Sequence, residues 1–232
     1  MKERSVAAKT AFKDSLPVMA GYVVLGIGFG MVLKSKGYGL IWALAMSVFI
    51  YAGSMQYVAV NLLTGGASFI TTAVTTLLVN SRHLFYGISM INKYRNTGKK
   101  KPYLIFALTD ETYSLVCRDR EGLNAEEQKK YYLLVSLFDQ CYWVTGSVIG
   151  SVLGTVLPIN TTGIDFSLTA LFISIVVDQW IKNKNHFSAV IGFAASIVCL
   201  FIFGADNFLI PTMIVIAAVL MAARKREEPK YE

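Results

Sequence analysis

The sequence predicts an all-α fold, a polytopic helical membrane protein of about seven spans plus one re-entrant segment, formed by residues 1–232 as a single integral membrane domain. Three observations predict it. The chain is 54% hydrophobic and 16% charged, with a mean hydropathy of +0.51, more apolar surface than a soluble domain of this length buries. Apolar runs recur at the roughly 17–25 residues needed to cross a hydrocarbon core of about 30 Å. Lys and Arg are confined to short segments between those runs, which reads as topogenic charge and argues against a nucleic-acid surface despite the net charge of +7.

The expected membrane segments are Leu16–Leu33, Leu40–Leu63, Ser68–Met90, Tyr103–Cys117, Tyr132–Leu157, Phe166–Ile181, Phe187–Phe203 and Phe208–Ala223. The first follows a basic stretch with Lys2, Arg4, Lys9 and Lys13; it is long, has no evident small-x-small cleavage site, and reads as a retained helix. The real polar loops are Asn92–Pro102 and Arg118–Lys130. Cys117, Cys141 and Cys199 stand singly in apolar stretches, without disulfide or zinc spacing, and read as small core residues.

Positive charge at Lys93, Arg95, Lys99–Lys101, Lys182, Lys184 and Arg224–Arg226 places those segments inside; the loops at Pro158–Asp165 and Gly204–Asn207, without positive charge, go outside. The localisation expected is multi-pass in a bacterial cytoplasmic membrane with a cytoplasmic C-terminus. Arg118–Lys130 is also inside, so both flanks of Tyr103–Cys117 share one side and this short segment dips in and returns. Counting back further puts Lys34 and Lys36 inside and the basic N-terminus outside, where the charge rule contradicts itself. Tyr22, Gly26 and Gly30 match Tyr142, Gly146 and Gly150 at an offset of 120 residues, and Ala43–Ile50 resembles Ala170–Val177 at an offset of 127. On this span count the two copies run in opposite directions, an inverted repeat of the kind found in secondary transporters.

Several polar residues lie deep in apolar segments. Thr72, Thr76, Asn80 and His83 fall on one stripe of a helix, followed by Arg82 and Tyr86 in the run Asn80–Gly87. Such a stripe faces other helices or a polar pathway, against the alternative that Arg82 and His83 reach headgroups. Gly53, Ser54 and Gln56 interrupt the second segment; a loosened helix there would bind a zwitterion at its end, while a close crossing with Gln56 bonded across it is the competing reading. Asp110 and Glu111 are either proton-coupling carboxylates or first-turn residues of a helix capped by Thr109. Asp139 lies on one face with Trp143, Gly146 and Gly150 and pairs with Arg82 or His83 or stays interfacial. Gly26, Gly30, Gly146, Gly150 and Gly154 are packing devices. Asp178 and Gln179 read as interfacial, and His186 as solvated. No catalytic motif or dinucleotide fingerprint appears, two histidines cannot supply the usual metal clusters, and neither enzyme activity nor a cofactor or metal is expected.

The order Gly53–Gln56, Asn80–Gly87, Leu108–Glu111 resembles the AzlC family across nearly the whole chain, with Ser81 a minor departure inside the Asn-x-Arg-His motif. The resemblance implies a permease for branched-chain amino acids, largely an exporter, working in the lipid bilayer with a small AzlD-type membrane subunit. On that footing Gly53, Ser54, Gln56, Asn80, Arg82, His83 and Tyr86 are expected at the amino acid substrate, and Asp110, Glu111 and Asp139 at coupling protons. A non-transporting scaffold subunit, a channel-like pore and an uptake permease for another apolar amino acid are the other readings.

Overall fold

The computed structural model describes residues 3–156, 173, 176, 177, 180, 181 and 186–227, and among them every regular element is a helix. The expected segment Phe166–Ile181, the loop at Pro158–Asp165, Asp178, Gln179 and the connector Lys182–Lys184 lie wholly or largely outside the described residues. The chain separates into two compact units, Met1–Thr169 and Ala170–Glu232.

The first unit is built on two long helices, α1 (Glu3–Ser35) and α8 (Ala125–Val156). A capping box starts α8: Asn124 Oδ1 accepts from the Glu126 and Glu127 amides, and Glu127 Oε2 accepts from Asn124 N. The glycines of the two repeat copies meet. A Cβ on Gly146 would stand 2.7 Å from the Val23 carbonyl oxygen, and one on Gly150 would overlap the Ile27 carbonyl, so the backbones approach as only glycine permits. Successive contacts, Phe12 on Phe138, Tyr22 on Trp143, and Gly30 against Gly150, climb both helices together. The helices are therefore parallel, and these two repeat copies are not opposed as the span count predicts. The rest of the second copy lies largely outside the described residues.

The reason is a hairpin where the sequence suggests one span. Leu40–Leu63 forms α2 (Leu40–Phe49) and α3 (Gly53–Thr64), and the chain turns at Ile50–Ala52, with Tyr51 at φ 43°. The Val48 carbonyl accepts from Gln140, one turn before Trp143 on α8. Gly53 leans on Trp143, and Tyr57 donates to the Leu25 carbonyl, further along α1. Thus α3 retraces the path of α2. One crossing fewer reverses α1: Asp14 pairs with Arg120 and accepts from Tyr131, so the basic N-terminal end sits with the Arg118–Lys130 loop, and Lys34 and Lys36 stand at the far end. The basic N-terminal end then agrees with the charge rule, and Lys34 and Lys36 are left against it.

The chain continues through α4 (Phe69–Val79), capped by Ser68 Oγ accepting from Thr71 N, and α5 (Ser81–Met90), which a break at Asn80 separates from it. Then α6 (Lys101–Phe106) and α7 (Asp110–Val116) form a second hairpin. Tyr103 on α6 donates to Gln140; Thr112 on α7 donates to Asp139; Val116 and Leu104 both return to an apolar cluster with Tyr94, Tyr131, Tyr132 and Val135. Lys93 reaches the Val116 carbonyl and pairs with Asp119. Tyr103–Cys117 thus folds back on itself as two short helices.

In the second unit α9 (Phe187–Asn207) and α10 (Leu209–Glu227) pack together, with Gly204 at φ 73° kinking α9. His186, expected to be solvated, stacks on Trp180 at a centroid separation of 4.0 Å. Among the described residues, two helical stretches, Val6–Ser35 and Phe187–Gly204, are long and apolar enough to cross a bilayer. Large apolar side chains stand exposed along α4 and α9, Phe69 at 88% and Phe201 at 86%, as lipid-facing surfaces require.

Candidate functional site

The tips of the two hairpins meet beside α5 at the level of Asp139–Trp143 on α8. Tyr51, at the first tip, lies against Phe106 of the second with ring centroids 6.2 Å apart. Three helices, α3, α5 and α7, begin here, each presenting the positive end of its dipole. Only α7 is capped by a side chain: Thr109 Oγ1 accepts from Thr112 N at 3.3 Å, and Asp110 and Glu111 occupy the first turn. Ala52 has no group with which to cap α3, and Asn80 makes no capping bond to α5.

Arg82 joins the tips. Its Nη2 donates to Ser54 Oγ at 2.5 Å and its Nη1 pairs with Asp110 Oδ2. Arg82 Nε, Asp110 Oδ1, His83 Nδ1 and Asn80 Oδ1 are buried atoms without hydrogen-bond partners among the described residues, an arrangement that a polar ligand would complete. His83 stands edge-on to Tyr86 at 6.0 Å, and Tyr86 stacks on Tyr113 at 4.6 Å.

Gln56 is fully buried and committed: its Oε1 accepts from Trp143 Nε1 at 2.8 Å, and its Nε2 donates to Ser47 Oγ at 3.3 Å. This is the interhelical bond weighed against substrate binding, and it ties α3 to α8 and to the other arm of its hairpin. Gly53 accommodates the Trp143 ring, whose edge a Cβ would meet at 3.0 Å. Asp139, also fully buried, bonds neither Arg82 nor His83; its Oδ2 accepts from Thr112 Oγ1 at 2.8 Å. From Thr112 the contacts run to Thr109 at 3.1 Å, from Thr109 to Tyr22 at 2.6 Å, and from Tyr22 to Glu111 Oε2 at 2.7 Å.

The predicted stripe divides at the Asn80 break. Thr72 and Thr76 bond carbonyls four residues back, at Ser68 and Thr72, and line an apolar cavity of about 440 Å³ with Trp42, Met46, Ile50 and Met55. Asn80, Arg82 and His83 stand at the tips. Sequence reasoning missed Tyr22 as a site residue. Its signal was a phenolic hydroxyl in the middle of an apolar helix, which needs a partner when buried.

Residues 17–157 match the model of the AzlC protein family, a stretch that holds both hairpins and every residue of the site. The chain belongs to the AzlC family. It is 43% identical over 229 residues to the branched-chain amino acid transport protein AzlC of Bacillus subtilis, covering 97% of this chain and 89% of that one. A Helicobacter pylori relative, an uncharacterized membrane protein, is 38% identical over 98% of this chain and 100% of its own. The inner membrane protein YgaZ of Escherichia coli is 27% identical over 75% of this chain and 73% of its own. No solved structure matches the chain. As an AzlC-family member with apolar exposed helices and relatives named as membrane proteins, it is a membrane protein, helical in its regular elements among the described residues, with a transport-related role.

Proposed function

We propose that this AzlC-family chain is a secondary transporter that exports branched-chain amino acids across the bacterial cytoplasmic membrane, coupled to protons and assisted by a small AzlD-type subunit. The observation that carries the reading is the Arg82–Asp110 pair between two hairpin tips, one ending in the uncapped start of α3 and the other in carboxylates. A zwitterion entering there exchanges one ion pair for two. Its carboxylate takes Ser54, Arg82 and the start of α3; its ammonium takes Asp110 and Glu111. The apolar cavity reached past Ile50 and Met55 suits an aliphatic side chain. Methylene-sized differences are separated there by only about 1–3 kcal/mol, so neighbouring apolar amino acids compete.

The basic N-terminal end, Lys93 and the Arg118–Lys130 loop share one side, which supports placing that side in the cytoplasm. The C-terminus, with Arg224–Arg226, is placed there too, in a multi-pass arrangement. Export and the AzlD-type partner rest on the family resemblance. The test loads cells lacking branched-chain exporters with leucine-containing dipeptides and follows external leucine, with and without the partner. Efflux that a protonophore abolishes and Asp110→Asn or Ser54→Ala reduces at least tenfold is the expected result; no efflux from inserted protein with its partner overturns the assignment.

A further inference from the structure

We infer that Glu111 and Asp139 share a single buried proton, passed between them along the hydroxyls of Tyr22, Thr109 and Thr112. Four oxygen–oxygen contacts link the two carboxyls, at 2.7, 2.6, 3.1 and 2.8 Å. Each contact needs one hydrogen. The three hydroxyls carry three, because each donates once. The fourth hydrogen belongs on a carboxyl, and either end will serve. With Glu111 protonated the donations run from Glu111 through Tyr22, Thr109 and Thr112 to the Asp139 carboxylate. With Asp139 protonated every donation reverses, Thr112 turning its hydroxyl to donate to Thr109 where Thr109 donates to it in the structure, and the chain ends on the Glu111 carboxylate. Interconversion breaks the carboxyl O–H bond at one end, moves each hydroxyl hydrogen one oxygen along, and makes an O–H bond at the other. No proton is gained or lost.

The surroundings favour one proton over none or two. Asp139, Thr112, Thr109 and Tyr22 are all less than a tenth exposed, Glu111 is half-buried, and two carboxylates joined by neutral hydroxyls in such surroundings repel each other. Glu111 is faced by Asp110 on its own helix, Arg82 and Tyr86 from α5, Tyr22 from α1 and Tyr51 from the other tip. Asp139 is faced by Tyr51, by Tyr103 from α6, by Tyr131 on α8 and by Glu111. Arg82 is engaged by Asp110, and neither Glu111 nor Asp139 forms an ion pair among the described residues. Asp110 is therefore committed to Arg82, and Glu111 and Asp139 are the proton store of the site. A substrate ammonium beside Glu111 draws the proton to Asp139. As a coupling device this rests on the transport reading; as a buried proton it does not.

The test is infrared spectroscopy of the protein in lipid nanodiscs at neutral pH, reading the protonated-carboxyl carbonyl band and its shift in heavy water. Wild type is expected to show one carboxyl equivalent. Glu111→Gln and Asp139→Asn should each abolish it, since either amide supplies the missing hydrogen. Thr109→Val should abolish it too, by leaving two separate contacts that have their own hydrogens, while Thr109→Ser keeps it. No band in wild type, or a band lost in one amide variant and kept in the other, overturns the shared proton. Should an amide variant fail to fold by size exclusion, the Thr109 pair decides. Leucine efflux without these band changes would leave the transport reading standing alone, and the changes without efflux would leave the proton standing alone.

Discussion

The two hairpins reach the same level from opposite ends of α8 and bring opposite chemistry to it. The tip of α6–α7 is complete in itself: Thr109 caps α7 and two carboxylates answer its dipole. The tip of α2–α3 has no charge and no cap, and it holds its place by Gln56 on Trp143 and by Arg82, borrowed from α5. Under the proposed transport function, this contrast gives each end of a zwitterion its place. The start of α3 lacks a negative partner, and the start of α7 has more negative charge than its own helix uses.

Cutting the bridge tests the contrast most severely. Arg82→Ala strands Asp110 and Ser54 together. The expected loss is about 2 kcal/mol in denaturant melts, less than the roughly 3–5 kcal/mol of a fully buried pair, because the two side chains are 29% and 24% exposed. Efflux should vanish. Gln56→Leu leaves the Trp143 indole N–H without its acceptor, at a cost of about 1–2 kcal/mol, and should alter tryptophan fluorescence while leaving the second hairpin intact. Thr109→Ala removes the α7 cap at about 1 kcal/mol, read in the same melts.

Ala52→Ser inverts the asymmetry by giving α3 the cap it lacks. It should raise stability by about 0.5 kcal/mol and weaken leucine binding, measured by calorimetry, since the hydroxyl competes for the amides a carboxylate would take. The smallest effect lies away from the tips. Asp119, in the loop after α7, is held below the ordinary carboxylate range by hydrogen bonds from Lys93 and Tyr132. A depressed folded-state value means its stabilisation is present above the unfolded value and fades as pH falls through the folded one. Being mostly exposed, it should contribute only a few tenths of a kcal/mol, so Asp119→Asn should slightly flatten the acid limb of a pH–stability curve.

The second hairpin was readable from sequence because charge marks both its flanks and Thr109–Glu111 spells a helix start. The first was not. Leu40–Leu63 has the length and apolarity of a span, and its turn depends on a positive φ at Tyr51, a residue type that does not advertise one. That single misreading added one crossing too many, reversed α1 on paper, and made a parallel pair of repeat copies look inverted. At the site, helical periodicity grouped Asn80 and His83, the run Asn80–Gly87 added Arg82, and depth in apolar segments flagged the three carboxylates. It could not assign their partners. Arg82 with Asp110 and Asp139 with Thr112 are contacts between helices, and the face of one helix does not identify its neighbour.

The two-hairpin architecture is tested most directly by labelling single cysteines with an impermeant maleimide, in protein whose Cys117, Cys141 and Cys199 have been replaced. Gly39→Cys and Ala67→Cys bracket the first hairpin; Asn96→Cys and Glu121→Cys bracket the second. The fold described here predicts that Gly39→Cys and Ala67→Cys label from one face of the membrane and Asn96→Cys and Glu121→Cys from the other. Labelling of Gly39→Cys and Ala67→Cys from opposite faces would restore Leu40–Leu63 as a span and contradict the meeting of the tips.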